Sequence, residues 1–199
     1  AGMCDGVRCD MAMLLLNDIF KNTWKNKVGD SPSAEFWRDA VSAVKGRYPE
    51  FIFLGEVYWD MDRRMQQVGF DFTYDKKLYD LLCRGEATPA RHHLNAAAEY
   101  QAKSARMIEN HDERRAAAVF DGPKHMAAAV LTYAAPGLRF FHEGQLEGRR
   151  IKVPVQLRRR DAAPRCPGCE RGGTRRSGAC RSGPFDRRPR GDPSRRRRS

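Results

Sequence analysis

Three acidic residues of this chain stand where a short apolar run stops. Asp10 follows Gly6-Val7-Arg8-Cys9, Glu56 follows Phe51-Ile52-Phe53-Leu54-Gly55, and Asp112 follows Met107-Ile108-Glu109 with Asn110 and His111 between. An amide, an imidazole and a carboxylate side by side are costly to bury and of little use for packing. They suit a ligand. Two carboxyl groups held about 5–5.5 Å apart perform retaining glycoside chemistry, one as nucleophile and one as acid and base. Such a pair must titrate differently: a nearby cation keeps the nucleophile ionised, while desolvation raises the acid. Arg8 lies two residues before Asp10, on the same side of a strand, and can hold it ionised. Glu56 is set among Leu54, Gly55, Val57, Tyr58 and Trp59, which suits a carboxyl kept protonated. Tyr58 and Trp59 also offer faces on which sugar rings can stack.

The elements that must position these residues are read from periodicity. Gly6 to Met11 is a short strand-like run. Ser31-Pro32 predicts a helix start, with Ser31 as cap and Pro32 at the first helical position. Trp37, Ala40, Val41, Val44 and Tyr48 then share one helical face, and Pro49 ends it. Phe51 to Leu54 and Gly69 to Tyr74 predict strands, and Lys76 to Cys83 and Ala90 to Ala102 predict helices. Ala105 to Ile108 predicts a further strand, followed by helices at about 113–120 and 123–134 and a last strand over Leu138 to Phe141. Strands separated by helices imply βαβ units in a parallel sheet, and runs without alternation fit strands covered on both faces. In such α/β sheets, and above all in (β/α)8 barrels, chemistry gathers at the C-terminal strand ends. Asp10, Glu56 and Asp112 end three different strands, so one mouth collects all three.

At this point the motifs GVRCDMAM, FLGEVYW and IENHDE resemble, in this order, three short motifs of the α-amylase family, glycoside hydrolase family 13. FFHEGQLEG resembles that family's last-strand segment. The resemblance runs from about Gly6 to Leu157 and implies strands four to eight of a (β/α)8 barrel. It implies that Asp10 is the nucleophile, Arg8 the arginine that orients it, and Glu56 the general acid and base. Asp112 matches the carboxylate that binds sugar hydroxyls and favours the oxocarbenium-like state, and His111 the hydroxyl-binding histidine beside it. Met13-Leu14 stands where many amylases carry a Lys-His pair, which puts acceptor-side sugar contacts and any calcium contact there in doubt. The family's first three strands, with their Asp-Asn-His segment, have no counterpart.

Each residue also has a plainer reading. Arg8 and Asp10 can form an ordinary ion pair, and Glu56 can be a solvated residue after a strand. Asn110, His111 and Asp112 can cap a helix starting near Glu113, with Asp112 serving both capping and function. Tyr58 and Trp59 can be packing residues. His92, His93 and His125 fall in helical patterns and read as structural or surface residues, while His142 lies near the mouth without an assigned role.

Charge divides the chain in two. Its 199 residues carry a formal net charge of +12, which by itself suggests a nucleic-acid binder. Yet Arg158 to Ser199 hold 15 Arg, no Lys and four acidic residues, which leaves 22 basic and 21 acidic residues in 1–157. Residues 158–199, rich in Gly, Pro, Ser and Arg, read as disordered. One reading of this tail is RNA binding, and another is a zinc knuckle on Cys166 and Cys169, which lacks a full ligand set. The preferred reading is out-of-frame sequence, since GC-rich codons read in a wrong frame give Arg without Lys. Six Cys at these spacings argue no disulfide framework, and no run approaches a membrane span of about 20 apolar residues. The start, AGMCDGVRCDMAMLLL, reads as the interior of a longer chain.

The expectation is therefore α/β: a partial (β/α)8 barrel over residues 1–157, with a separate tail. The function expected for the intact protein is a retaining glycosidase or transglycosylase acting on an α-glucan or α-glucoside, with no cofactor, no metal and no membrane. Compartment is open, the cytoplasm being the default. The alternatives are RNA binding through the tail, which is disfavoured, and a non-catalytic carbohydrate-binding fragment. A barrel takes about 250 residues, so the chain alone is expected to fold poorly, with an exposed sheet edge, and to be inactive. Genomic sequencing and size-exclusion chromatography check this together. An unbroken frame through the codons near Arg160 contradicts the tail reading. A soluble monomer that unfolds cooperatively contradicts the folding one.

Overall fold

The computed structural model describes residues 3–156. Five short strands, β1 (Gly6–Cys9), β2 (Ile52–Gly55), β3 (Phe72–Tyr74), β4 (Ser104–Arg106) and β5 (Leu138–Arg139), form one sheet in that order. Each strand pairs in parallel with the next. Between β1 and β2 lie α1 (Asn17–Trp24) and α2 (Phe36–Arg47), and between β2 and β3 lies α3 (Asp62–Gln67). α4 (Lys76–Arg84), α5 (Ala87–Leu94) and α6 (Ala98–Ala102) lead to β4. α7 (Ala116–Val119) and α8 (Gly122–Ala134) lead to β5. This is the parallel sheet with helical crossovers that the apolar runs predict, a partial (β/α)8 barrel. Among the described residues no helix is long and apolar enough to cross a membrane.

Apolar burial sets the layers. Phe51, Phe53, Val57 and Phe70 pack with Met13, Leu16, Trp37 and Val41 where β2 meets α2. Trp37 and Phe70 meet edge to face at 4.9 Å, and the Trp37 indole N–H donates to Ala12 O at 2.7 Å. A second cluster joins Leu78, Leu81 and Leu82 of α4 to Ala90, Ile108, Phe120 and Ala128. A third comes from strand and strand-end residues alone: Tyr74, Ala105 and Met107, with Leu54, Phe72, Leu138 and Phe140 packed against them. The turn into β5 needs Gly137 (φ 119°), because a Cβ there would come within 2.1 Å of Ser104 O.

Several sequence expectations are corrected. Helix α2 starts at Phe36, not at Ser31-Pro32. The Asn17 amide donates to Pro32 O at 3.0 Å and Ala34 O at 2.8 Å, and Glu35 accepts from Asn17 N–H at 3.1 Å. Those tertiary bonds hold the segment as a loop. The helix expected over Ala90 to Ala102 is two helices, broken after Leu94. Asn95 N–H bonds to both Arg91 O and His92 O, which closes the first helix, and the Gln101 amide donates to His93 O at 2.7 Å, which pins the second helix to it. The helix expected from about 113 shrinks to Ala116–Val119. Strands β1, β3, β4 and β5 are shorter than their apolar runs. Helices α1 and α3 had no sequence expectation. The tail readings, including the zinc and RNA ones, lie outside the described residues.

One buried ionic network ties the sheet to α4, α5 and α6. Arg106 of β4 is fully buried and donates to Pro136 O at 2.9 Å, to Gln101 Oε1 and to Asp75 Oδ2. Asp75 also accepts from Leu78 N–H at 3.1 Å, capping α4, and meets His93 Nε2 at 2.7 Å. His93 is thus structural, as its helical pattern suggests. Removing one partner of such a pair strands the other charge. Arg106→Ala is expected to cost about 3–5 kcal/mol, read as at least about a hundredfold faster limited proteolysis. Replacing both partners, Arg106→Met with Asp75→Leu, is expected to recover much of the loss.

Candidate active site

The register of β1 and β2 brings the first two acidic residues together. Cys9 pairs with Gly55, and the ladder continues past the strands: Glu56 N–H donates to Cys9 O at 2.9 Å and Ala12 N–H to Glu56 O at 2.9 Å. Asp10 and Glu56 therefore leave adjacent strands side by side. Arg8, on β1, lies under both. Its Nε donates to Tyr74 Oη at 3.3 Å and its Nη1 to Asp10 Oδ1. Its Nη2 is 2.9 Å from Glu56 Oε1, in charge contact without hydrogen-bond alignment, and 4.0 Å from Asp112 Oδ2. One guanidinium thus touches carboxylates from three strand ends.

The two neighbouring carboxyl groups differ in surroundings. Asp10 is open to solvent, its side chain 75% exposed, and Arg8 holds it below the usual carboxylate range. Glu56 is buried. Met11 N–H donates to its Oε2 at 2.9 Å and the Tyr58 hydroxyl to its Oε1 at 3.0 Å. The apolar box expected from the sequence is corrected here: Glu56 is buried, but among donors. Burial, then the Glu56 charge, pushes the Tyr58 hydroxyl well above its ordinary range, so it stays a donor. Burial works against the Arg8 charge, but the bonds to Tyr74 and Asp10 outweigh it and Arg8 is raised. Burial also raises the Cys9 thiol, leaving it a packing residue.

Left-handed backbone follows Asp10 and Glu56. Met11, directly after Asp10, has φ 43°, and Trp59 and Asp60, shortly after Glu56, have φ 60° and 55°. Such residues cost on the order of 1–3 kcal/mol each and persist only where the surroundings enforce them. They turn the chain away from the strand axis, and Trp59 is left 61% exposed. Tyr58 and Trp59 line a cleft of about 400 Å3 together with Tyr74, Lys76 and Lys77. Met13 is fully buried in the core and cannot face that cleft.

The third strand end is a tight turn. Asn110 is fully buried, its Oδ1 accepting from Asp112 N–H at 2.9 Å and Glu113 N–H at 2.8 Å. Expected to contact ligand, Asn110 instead shapes the loop, because its amide is consumed by the turn. The capping expected of this cluster is corrected too: no helix starts near Glu113, and the Asp112 carboxylate instead meets His111 Nε2 at 2.9 Å. Asp112 and His111 are partly exposed beside Arg8.

A group the sequence reading passed over supports this loop. Glu109 is buried, accepting from Ala116 N–H at 2.5 Å, with Arg115 Nη1 at 3.1 Å and His142 Nδ1 at 3.3 Å from its Oε1. Arg115 reaches on to Glu143 O at 2.8 Å, so the β4 and β5 ends are clamped together. A Glu wedged between Ile108 and Asn110 was the available signal. Tyr74 was equally readable, as an aromatic at a strand end.

No known family pattern and no curated protein matches the chain. Solved structures do. An α-amylase from Lactobacillus plantarum matches at TM-score 0.51 and 20% identity, over 76% of this chain and 37% of that one. A noncanonic maltogenic α-amylase from Thermotoga neapolitana matches at TM-score 0.54 and 22% identity, over 76% and 33%. The ligand-free cyclic α-maltosyl-(1→6)-maltose hydrolase from Arthrobacter globiformis matches at TM-score 0.55 and 17% identity, over 74% and 33%. The chain spans about a third of the length of these structures.

Titration of His142 tests the clamp. Burial and then Arg115 hold the imidazole below its ordinary 6.5, with Glu109 acting the other way. The unfolded chain therefore takes up the proton first. Stability is untouched above about 6.5 and falls as pH drops from there to the folded value. By NMR, the His142 midpoint is expected below 6.5 and lower still in Glu109→Gln; a midpoint at 6.5 in both removes the clamp.

Over its described residues, the chain has the fold of part of the (β/α)8 barrel of these α-amylase-type structures.

Proposed function

We propose that the chain carries the reacting end of a retaining glycosidase or transglycosylase for α-glucosidic bonds. The observation that carries this is the Arg8 guanidinium, which touches Asp10, Glu56 and Asp112 at once. Two carboxyl groups gathered by one guanidinium suit the close pair, about 5–5.5 Å apart, on which retaining chemistry depends. In this reading the Asp10 carboxylate attacks the anomeric carbon as the bond to the leaving oxygen breaks, and Glu56 gives that oxygen its proton. Glu56 then takes a proton from water or a sugar hydroxyl, whose oxygen displaces Asp10. Arg8 keeps Asp10 ionised before attack and stabilises the carboxylate again as it is displaced. Asp112 and His111 hold sugar hydroxyls, and Tyr58 and Trp59 flank the leaving side.

A second reading, in which the chain binds sugar without turning it over, draws on the exposed Trp59 and the partly exposed His111 and Asp112 beside Arg8. The division into a barrel part, 1–157, and a tail, 158–199, is part of the same proposal.

Incubation of the intact protein that carries this chain with 5-fluoro-α-D-glucosyl fluoride, followed by peptide mass spectrometry, tests the chemistry. The expected result is a fluoroglucosyl adduct on the Asp10 peptide, absent in Asp10→Asn. Turnover of α-glucosyl fluoride is expected to fall about 10²–10⁴-fold in Glu56→Gln. Sugar binding with no adduct and no turnover would favour the second reading.

A further inference from the structure

The segment after β5 lies along the third strand end. Arg149 N–H donates to Gly144 O at 3.1 Å, and Arg115 Nε reaches Arg149 O at 3.5 Å. Arg150 Nη1 donates to Ala117 O, and Lys152 Nζ to the carbonyl of Asp112 itself. Residues 149–152 are thus a strap fastened beside Asp112, with Arg150 and Lys152 exposed on it.

The charge balance at this rim is uneven. Arg8 faces three carboxylates, Lys76 faces Asp80 and Glu113, Lys77 faces Asp60, and Arg115 faces Glu109. Arg150 and Lys152 have no carboxylate within ion-pair distance among the described residues; they donate to backbone carbonyls. A carbonyl accepts a hydrogen bond without cancelling the charge. Among the described residues two exposed, fastened cations thus lack a carboxylate partner, and one of them, Lys152, sits on the backbone of the residue assigned to hold sugar hydroxyls. Such a pair recognises an oxyanion through charge-assisted hydrogen bonds.

We propose that the strap is a subsite for an anionic substituent, of the phosphate-monoester class, on the α-glucoside substrate. This rests on the glycosidase reading given above. Asp10 and Asp112 repel an anion from the reacting centre, so the phosphate sits on a sugar hydroxyl away from the bond being cut. The strap selects substrate and takes no part in bond breaking.

Calorimetric titration of the full chain with maltose, maltose 6′-phosphate and inorganic phosphate tests this. The phosphorylated sugar is expected to bind about tenfold tighter than maltose at low salt. The preference is expected to shrink in 0.5 M NaCl, to vanish in Arg150→Ala with Lys152→Ala, and to persist in Lys152→Arg. Equal binding of the two sugars overturns the subsite and leaves the glycosidase reading standing. A preference that survives the double substitution, or inorganic phosphate binding as tightly as the sugar phosphate, overturns it likewise. Binding of neither sugar overturns both readings.

Discussion

Everything at the mouth of this sheet depends on one positive charge. Asp10, Glu56 and Asp112 leave three strands and converge, and without Arg8 their mutual repulsion would push them apart. Arg8 is suited to this because its planar fork presents separate nitrogens to separate partners, and because it stays charged when partly buried. Tyr74 completes its shell, hydrogen-bonded to Nε and lying under the guanidinium at 5.6 Å. A lysine would offer a single point charge and could not address the three acids and the phenol from fixed directions. The cation also makes neighbours of two acids while leaving one in solvent and the other buried among donors.

Behind this mouth, two buried ionic groups serve as frame. Arg106 with Asp75 links β4 to the start of α4, and Glu109 with Arg115 links the β4 end to the β5 end. Both lie deeper than the partly exposed Asp112 and His111. Stiffness below and openness above is the arrangement a binding loop needs, since the loop's own backbone has few partners. Asn110 continues the principle locally by spending its amide on the turn that presents its two neighbours.

Much of this was readable from residues alone. The strand ends were legible because Phe51 to Leu54 and Met107-Ile108 are apolar runs broken abruptly by charge, and packing gives no reason for such breaks. The pairing of Arg8 with Asp10 followed from strand alternation. What could not be read depended on contacts between distant segments. Ser31-Pro32 carries local helix-start chemistry, yet Asn17 claims the carbonyls that a helix would have used. Asn110 and Asp112 are near-equivalent as polar turn residues, and only the fold decides which amide or carboxylate turns inward. Helices α1 and α3 are short, at eight and six residues, and α1 buries none of its own residues, so neither presented a core-facing run in the sequence.

Because spatial order in the sheet equals chain order, each strand needs only its predecessor to pair with. That makes assembly directional. As the chain leaves the ribosome, Arg8 and Asp10 are laid down first, Glu56 joins them one crossover later, and Asp112 comes after two more. Each arrival supplies a negative group to a cation already in place, so no intermediate has to gather the acids without their counterion. Strand pairing between sequence neighbours also keeps loop closure inexpensive at every step. The mouth is built in the order in which its charges can be neutralised.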